Sequence, residues 1–483
     1  MAARFYTMKI IGYFCIVFSI ALLPPILISE WYQDGELGDF LITFLTLSTT
    51  GFLLCILFKS PISDIRRRDS FLIVALFWLI LSFISALPFM IGPDHLSIVD
   101  SIFEATSGFT TTGATVIPDL DRLSPSLLYY RQQLQWFGGL GLIVIAIAIL
   151  PILGVGGTQL YRAEIPGPLK EEKITPRLMQ TAHNLCLIYI ALTFICAASY
   201  WIAGMTPLDA LEYSFSTIST GGFTTHNESI AYFHSHAVNY IAITFMLMGA
   251  INFSIHFMVL HSNNPSKYLH DPEVRTFLSL VISFVLFFSL LLYFLHYYSN
   301  PEEAFEYSLF EVTSVITSTG FGITNFTNWP LFLPILLIFI GFIGGCGGST
   351  AGGIKVMRVL VLIKQAGHEI FRIVHPKSVR PIKIGQRILN EKIMQAIWGF
   401  FAVYIVVFVA LTLSMMLAGL DQVSAFSAVA ATINNLGPGL GIVSATFVSL
   451  SATAKLLAVA AMLLGRLEIF TLLVILTPAF WRS

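Results

Sequence analysis

Long apolar runs, separated by short polar connections, organise this chain of 483 residues. A helix needs about 20 apolar residues to cross a bilayer. Runs of that kind fall near 8–29, 40–58, 70–92, 132–154, 184–205, 238–260, 275–295, 331–344, 393–418 and 454–480. The 331–344 run is short, stops at glycines and resumes at 359–363, which predicts one broken span among ten. No small-residue cleavage site follows the first run, so it reads as a retained helix.

The connections alternate in charge. Lys59, Arg66, Arg67 and Arg68 follow the second run, and Arg162, Lys170, Lys173 and Arg177 the fourth. Lys267 follows the sixth, and Lys364, Arg372, Lys377, Arg380, Lys383 and Arg387 follow the eighth. Basic connections stay in the cytoplasm. The opposite ones, 30–39, 93–128, 206–236, 296–330 and 419–452, hold Arg122 as their only Lys or Arg. Both termini are then expected inside, with Arg4 and Lys9 at one and Arg482 at the other.

Within four of the outer connections a short polar segment recurs at roughly hundred-residue intervals, the mark of four repeated units. Three copies read Thr111-Thr112-Gly113, Ser219-Thr220-Gly221 and Ser318-Thr319-Gly320; the fourth reads Asn435-Leu436-Gly437. Glu104, Glu212 and Glu311 each lie nine residues before the glycine, and the fourth copy lacks the acid. Helix-compatible runs such as 100–109 and 208–218 precede the segments. About ten residues of helix rise ~15 Å, half a bilayer core. Four re-entrant half-helices are therefore expected, entering from outside, with their partly negative C-terminal ends at the membrane centre. Beyond them glycine permits φ > 0. Irregular backbone that lines a cavity can offer its carbonyls to a cation in place of water. The glutamates read first as caps of the half-helices and second as a cation-attracting vestibule. Helix packing explains small residues at any one segment, but not four matched copies on one side.

Composition narrows the class. The chain is 56% hydrophobic and 11% charged, against about 25% charged in soluble proteins. A net charge of −1 gives no basic field for nucleic acid. Cys15, Cys55, Cys186, Cys196 and Cys346 lie in apolar or glycine-rich stretches without CxxC spacing and read as small buried residues. Histidines such as His183 and His256 have no metal-ligand spacing, and no acid, base and nucleophile set suggests an enzyme.

The segments TTTGAT, STISTGGFTT, TSTGFGITNF and NNLGPGLG resemble the filter segments of the Trk/Ktr/HKT superfamily. With two additional N-terminal spans, essentially the whole chain resembles the membrane subunits of bacterial Trk potassium-uptake systems. The resemblance implies an all-α membrane protein. Two N-terminal helices over 1–69 would precede four pseudo-repeats of helix, pore loop and helix around a central pore, at 70–157, 184–260, 274–375 and 392–483. It implies K+ bound and transported at the twelve residues of the four triplets, with no cofactor in this chain. It also implies a bacterial inner-membrane homodimer with one pore per protomer. A cytosolic TrkA-like nucleotide-binding ring would dock on 155–183 and 364–392. Glycine at all four filter positions goes with K+ preference in that family. A weakly selective or Na+-conducting member is the alternative, and coupling to H+ or Na+ stays open.

Two features suggest a gate. Gly344, Gly345, Gly347, Gly348, Gly352 and Gly353, with Ser349 and Thr350 among them, interrupt the third repeat's second span. Ile354 stands where a nucleotide-binding P-loop needs lysine. The stretch is either a tight packing site or a flexible intramembrane loop below the filter, and the resemblance favours the loop. Arg466 lies about 21 Å from either end of the last span, too far to reach water. A central arginine costs about 2.5–3.5 kcal/mol on insertion scales. Glu468, two residues on, faces elsewhere. Arg466 therefore either pairs with another helix or stands in the pore, and the resemblance supports the pore.

Overall fold

The computed structural model describes residues 2–58, 67–92, 95–144, 176–376, 381–385, 387–478 and 480. The expected end of the first repeat at 157, most of the 155–183 connection, and Lys59, Arg66, Arg162, Lys170, Lys173, Lys377, Arg380 and Arg482 lie outside them.

The N-terminal pair is α1 (Ala2–Ala21) continuing into α2 (Leu23–Tyr32), then α3 (Leu37–Leu57) returning beside α1. Next come α4 (Arg67–Ile84), α5 (Leu87–Ile91), the half-helix α6 (Ile98–Phe109) and α7 (Pro125–Val144). The second unit is α8 (Pro176–Ile202), half-helix α9 (Pro207–Ile218), α10 (His236–Ala250) and α11 (Phe253–Ser262), with a short α12 (Ser266–His270) behind it. The third is α13 (Pro272–Phe294), half-helix α14 (Pro301–Ile316), α15 (Leu333–Gly341) and α16 (Val356–Val374). Two short antiparallel strands, β1 (Lys383–Ile384) and β2 (Arg387–Ile388), lead to the fourth. That unit is α17 (Glu391–Leu417), half-helix α18 (Gln422–Ile433), α19 (Ala452–Arg466) and α20 (Phe470–Leu476). Six described helices are long and apolar enough to cross a membrane, seven if the bent pair α10–α11 counts as one.

The half-helices start where their caps say. Ser97, Thr206 and Asp421 each accept a hydrogen bond from a first-turn backbone N–H of α6, α9 and α18. The third starts instead with Pro301 and two acids, Glu302 and Glu303. The expected capping role of the glutamates is thereby overturned. Glu104, Glu212 and Glu311 sit inside their half-helices and are buried.

One broken span was expected, and among the described residues the outgoing arms of three units are broken. The glycine loop separates α15 from α16 as anticipated. In addition α10 and α11 meet at 99°, with Asn252 capping α11 at its Ser254 N–H. Between α19 and α20 the backbone turns through Glu468 (φ 53°) and Ile469 (φ 52°). Two of the breaks repair one another. The Cys346 N–H donates to the Ala250 carbonyl at 2.9 Å, and the Phe253 N–H donates to the Gly348 carbonyl at 3.1 Å. Backbone groups freed at the bend of one unit are thus satisfied by the glycine loop of the next, as a membrane interior requires.

Apolar clusters wrap the half-helices from outside. One joins α1, α3, α4, α6, α18 and α19, a second surrounds α13 to α15, and a third joins α8 to α10. The half-helices are buried almost all round, which fixes where their C-terminal ends converge.

Candidate functional site

All four half-helices end in the same hydrogen-bonded turn. The residue after each C-cap is left-handed: Thr111 (φ 53°), Thr220 (φ 51°), Ser318 (φ 50°) and Asn435 (φ 51°). The N–H of the following residue reaches back five positions. Thr112 bonds Ser107, Gly221 bonds Ser216, Thr319 bonds Ser314 and Leu436 bonds Ala431, each at 2.8 Å. This is the Schellman ending, which usually carries glycine at the left-handed position. Threonine there is a backbone outlier of the kind that clusters at functional sites.

The next residue is a glycine with positive φ in every copy: Gly113 (81°), Gly222 (80°), Gly320 (81°) and Gly437 (94°). The second triplet is therefore Thr220-Gly221-Gly222, one residue later than the sequence alignment placed it. Ser219 is the helix C-cap, equivalent to Thr110, Thr317 and Asn434. Gly221 has no positive φ; the Gln135 side chain fills the space where its Cβ would stand.

The four turns close on themselves. A Cβ on Gly113 would collide with the Gly221 carbonyl oxygen, and one on Gly222 with that of Thr319. One on Gly320 would collide with the Leu436 carbonyl, and one on Gly437 would crowd the Thr112 carbonyl. Each unit thus meets the next, and the fourth meets the first. Glycine is required because four carbonyls are packed against four backbones in one ring.

Behind the ring, three of the four chains running outward are tied at the third residue past their glycine. Glu104 accepts from the Val116 N–H at 2.9 Å, and Glu311 from the Ile323 N–H at 2.9 Å. Ser427 Oγ accepts from the Leu440 N–H at 2.9 Å. In the second unit the matching side chain is Tyr213, whose hydroxyl donates to the Ser229 carbonyl at 3.4 Å. Glu212 sits one position off this register. Arg131, fully buried, bonds Glu104 at 2.8 Å and the Thr224 carbonyl at 3.0 Å, tying unit one to unit two. The sequence reading missed Gly222, Arg131, Gln135, Tyr213 and Ser427. A signal for two of them existed: RQQLQ at 131–135 is too polar for a lipid-facing span start.

The glycine loop lies directly under the half-helix ends. Thr350 Oγ1 is 3.0 Å from the Ile218 and Gly249 carbonyls and 3.3 Å from Thr220 Oγ1. The Gly352 N–H donates to Ser318 Oγ, and the Gly353 N–H donates to the Asn434 carbonyl at 3.2 Å. Ser349 bonds Cys346 within the loop. Gly344 and Gly353 have positive φ and face each other across the loop's neck, while Gly345 packs on Ala250 and Ala351. Glu273 holds the far arm by accepting the Gly347 N–H at 2.7 Å. Arg466 is buried and donates to the Thr350 carbonyl at 3.0 Å and the Gly138 carbonyl at 3.2 Å. Glu468 pairs instead with Arg358 at 2.6 Å. Among the described residues Arg466 has no carboxylate partner; its two hydrogen bonds join the loop at Thr350 to α7 at Gly138.

A family model described as TrkH, cation transport protein, matches residues 38–482. The Trk system potassium uptake protein TrkH of Vibrio parahaemolyticus is 49% identical over 478 residues, 98% of this chain and 99% of that protein. The protein of the same name from Escherichia coli K12 is 47% identical over 476 residues, 98% of this chain and 99% of its own length. The crystal structure of the potassium transporter TrkH from Vibrio parahaemolyticus matches with a TM-score of 0.92 at 46% identity, over 98% of this chain and 99% of that one.

Proposed function

Because the chain belongs to the TrkH family of cation transport proteins, we propose that it carries K+ into the cell through the ring of four carbonyls. The closed ring is the observation that carries this reading. The carbonyls of Thr112, Gly221, Thr319 and Leu436 converge at the ends of four half-helices. Each helix end contributes about half a negative charge. Four of them favour a cation at one point on the axis without any carboxylate there. Carbonyls replace the ion's hydration shell, and their number and field strength decide which ion is favoured.

The glycine loop and Arg466 form the gate in this reading. The loop takes up carbonyls at the half-helix ends that would otherwise face the ion, through Thr350 at Ile218 and Gly353 at Asn434. Arg466 adds a buried positive charge beside it and pins it in place. Each such hydrogen bond is worth about 0.5–1.5 kcal/mol net, so a partner that binds an open form with modest preference shifts the gate. The partner proposed is a cytosolic TrkA-like nucleotide-binding ring, docked on the basic connections at 155–183 and 364–392. A homodimer with one pore per protomer, a bacterial inner-membrane location and cytoplasmic termini complete the proposal. The related proteins' names, as potassium uptake proteins, agree with it.

Growth tests it. A bacterial strain without its own K+ uptake, expressing this chain, is expected to grow at low external K+. Rescue that requires added Na+, or comparable Na+ accumulation, would favour the weakly selective alternative. No rescue despite protein in the membrane would count against the reading.

A further inference from the structure

The four ring carbonyls are not in equal surroundings. Gln135, on α7 of the first unit, donates from Nε2 to the Gly221 carbonyl at 2.6 Å. Its Oε1 accepts the Phe223 N–H at 3.1 Å, which fixes the amide orientation, because a backbone N–H can only donate. Gln135 is fully buried. Among the described residues, no side chain donates to the carbonyls of Thr112, Thr319 or Leu436. The neighbouring residues of α7 hold the same stretch: Gln132 bonds Ser216, and Arg131 bonds the Thr224 carbonyl. One face of α7 is thus built around the second leg of the ring.

We propose that Gln135 is a positioning residue for ion selection. It holds the Gly221 carbonyl through one fixed amide and makes that carbonyl a weaker, stiffer ligand than its three counterparts. This deepens the transport reading above and rests on it. A carbonyl already accepting a hydrogen bond has one lone pair committed. Its orientation is set by α7 rather than by the ion. Gly221 has no side chain to restrict its backbone, so the amide adds to the Ser216 bond at its N–H in keeping the carbonyl from turning away.

The test uses the full-length protein in liposomes and reads the K+ to Na+ flux ratio. Gln135→Leu removes donor and acceptor at similar volume. Gln135→Glu keeps the acceptor for Phe223 and donates to Gly221 only when protonated. Both are titrated between about pH 5.5 and 9, a range that spans the values a buried carboxyl adopts. The unsubstituted protein and Gly113→Ser are run alongside. The Leu variant is expected to show a ratio lower by about threefold to tenfold, the worth of one net hydrogen bond, at every pH. The Glu variant is expected to keep the parent ratio at the acid end and lose it as pH rises. If the Leu variant does not fold, the titration of the Glu variant stands alone. Parent-like ratios in both variants, with Gly113→Ser still eroding selectivity, would overturn the role of Gln135 and leave the transport reading intact. A reduced ratio in the Glu variant without pH dependence would reduce Gln135 to a packing residue. If Gly113→Ser also has no effect, the ring itself is not the filter.

Discussion

Thr111, Thr220 and Ser318 hold left-handed backbone that glycine or asparagine would occupy at less cost. Only Asn435 is a residue that tolerates it well. The strain is held by the hydrogen bonds that close each turn, and it orients the carbonyls of the next residues. The register of the second copy shows what the sequence hides at this scale. Gly221 and Gly222 are adjacent, and Glu212 happens to match Gly221 in spacing. Only the sign of φ and the collision with Thr319 single out Gly222. Gly222→Ser is therefore expected to erode K+ over Na+ selectivity as Gly113→Ser does, while Ser219→Ala keeps it. Flux ratios in liposomes decide this, and the opposite pattern would restore the alignment on Gly221.

At the scale of elements, the glycine loop was readable because six glycines in ten residues cannot continue a membrane helix. The breaks after Ala250 and Leu467 were not, because no glycine or proline stands in Ile251-Asn252 or Glu468-Ile469. What stabilises the first is tertiary, the exchange of hydrogen bonds with Cys346 and Gly348. Arg466→Ala removes both the clip on Thr350 and the buried charge, and is expected to raise flux severalfold in liposomes without a partner. Glu273→Ala frees the Gly347 arm and is expected to raise it less. Since both act on one loop, the double variant should fall short of the product of the two effects. Equal flux in all of them, with folded protein, would remove the loop from the gate. The fourth half-helix offers a pH test. Hydrogen bonds from Ser424, then Val423, hold the Asp421 carboxyl below its ordinary value. A lowered carboxyl stabilises the fold above the unfolded-state value and loses that contribution as pH falls through the folded one. The gap in thermal stability between the protein and Asp421→Ala is expected to be constant near neutral pH and to narrow in acid. A gap that widens in acid would contradict the cap.

For the whole molecule, the four-fold plan was legible because the polar segments recur at a near-constant interval on one side of the membrane. The ring was not, since closure depends on which carbonyl meets which glycine across units hundreds of residues apart. Nor was the brace of Arg131 and Gln135, which sits on one unit and serves the next. The account's central claim is that the four turns together select K+. The direct measurement is flux of K+, Rb+, Na+ and Li+ into liposomes containing the purified protein, with and without Gly113→Ser. K+ and Rb+ well above Na+ and Li+, with the difference narrowed by the substitution, is the predicted result. Equal flux of all four ions, or a preference that the substitution leaves untouched, would contradict it.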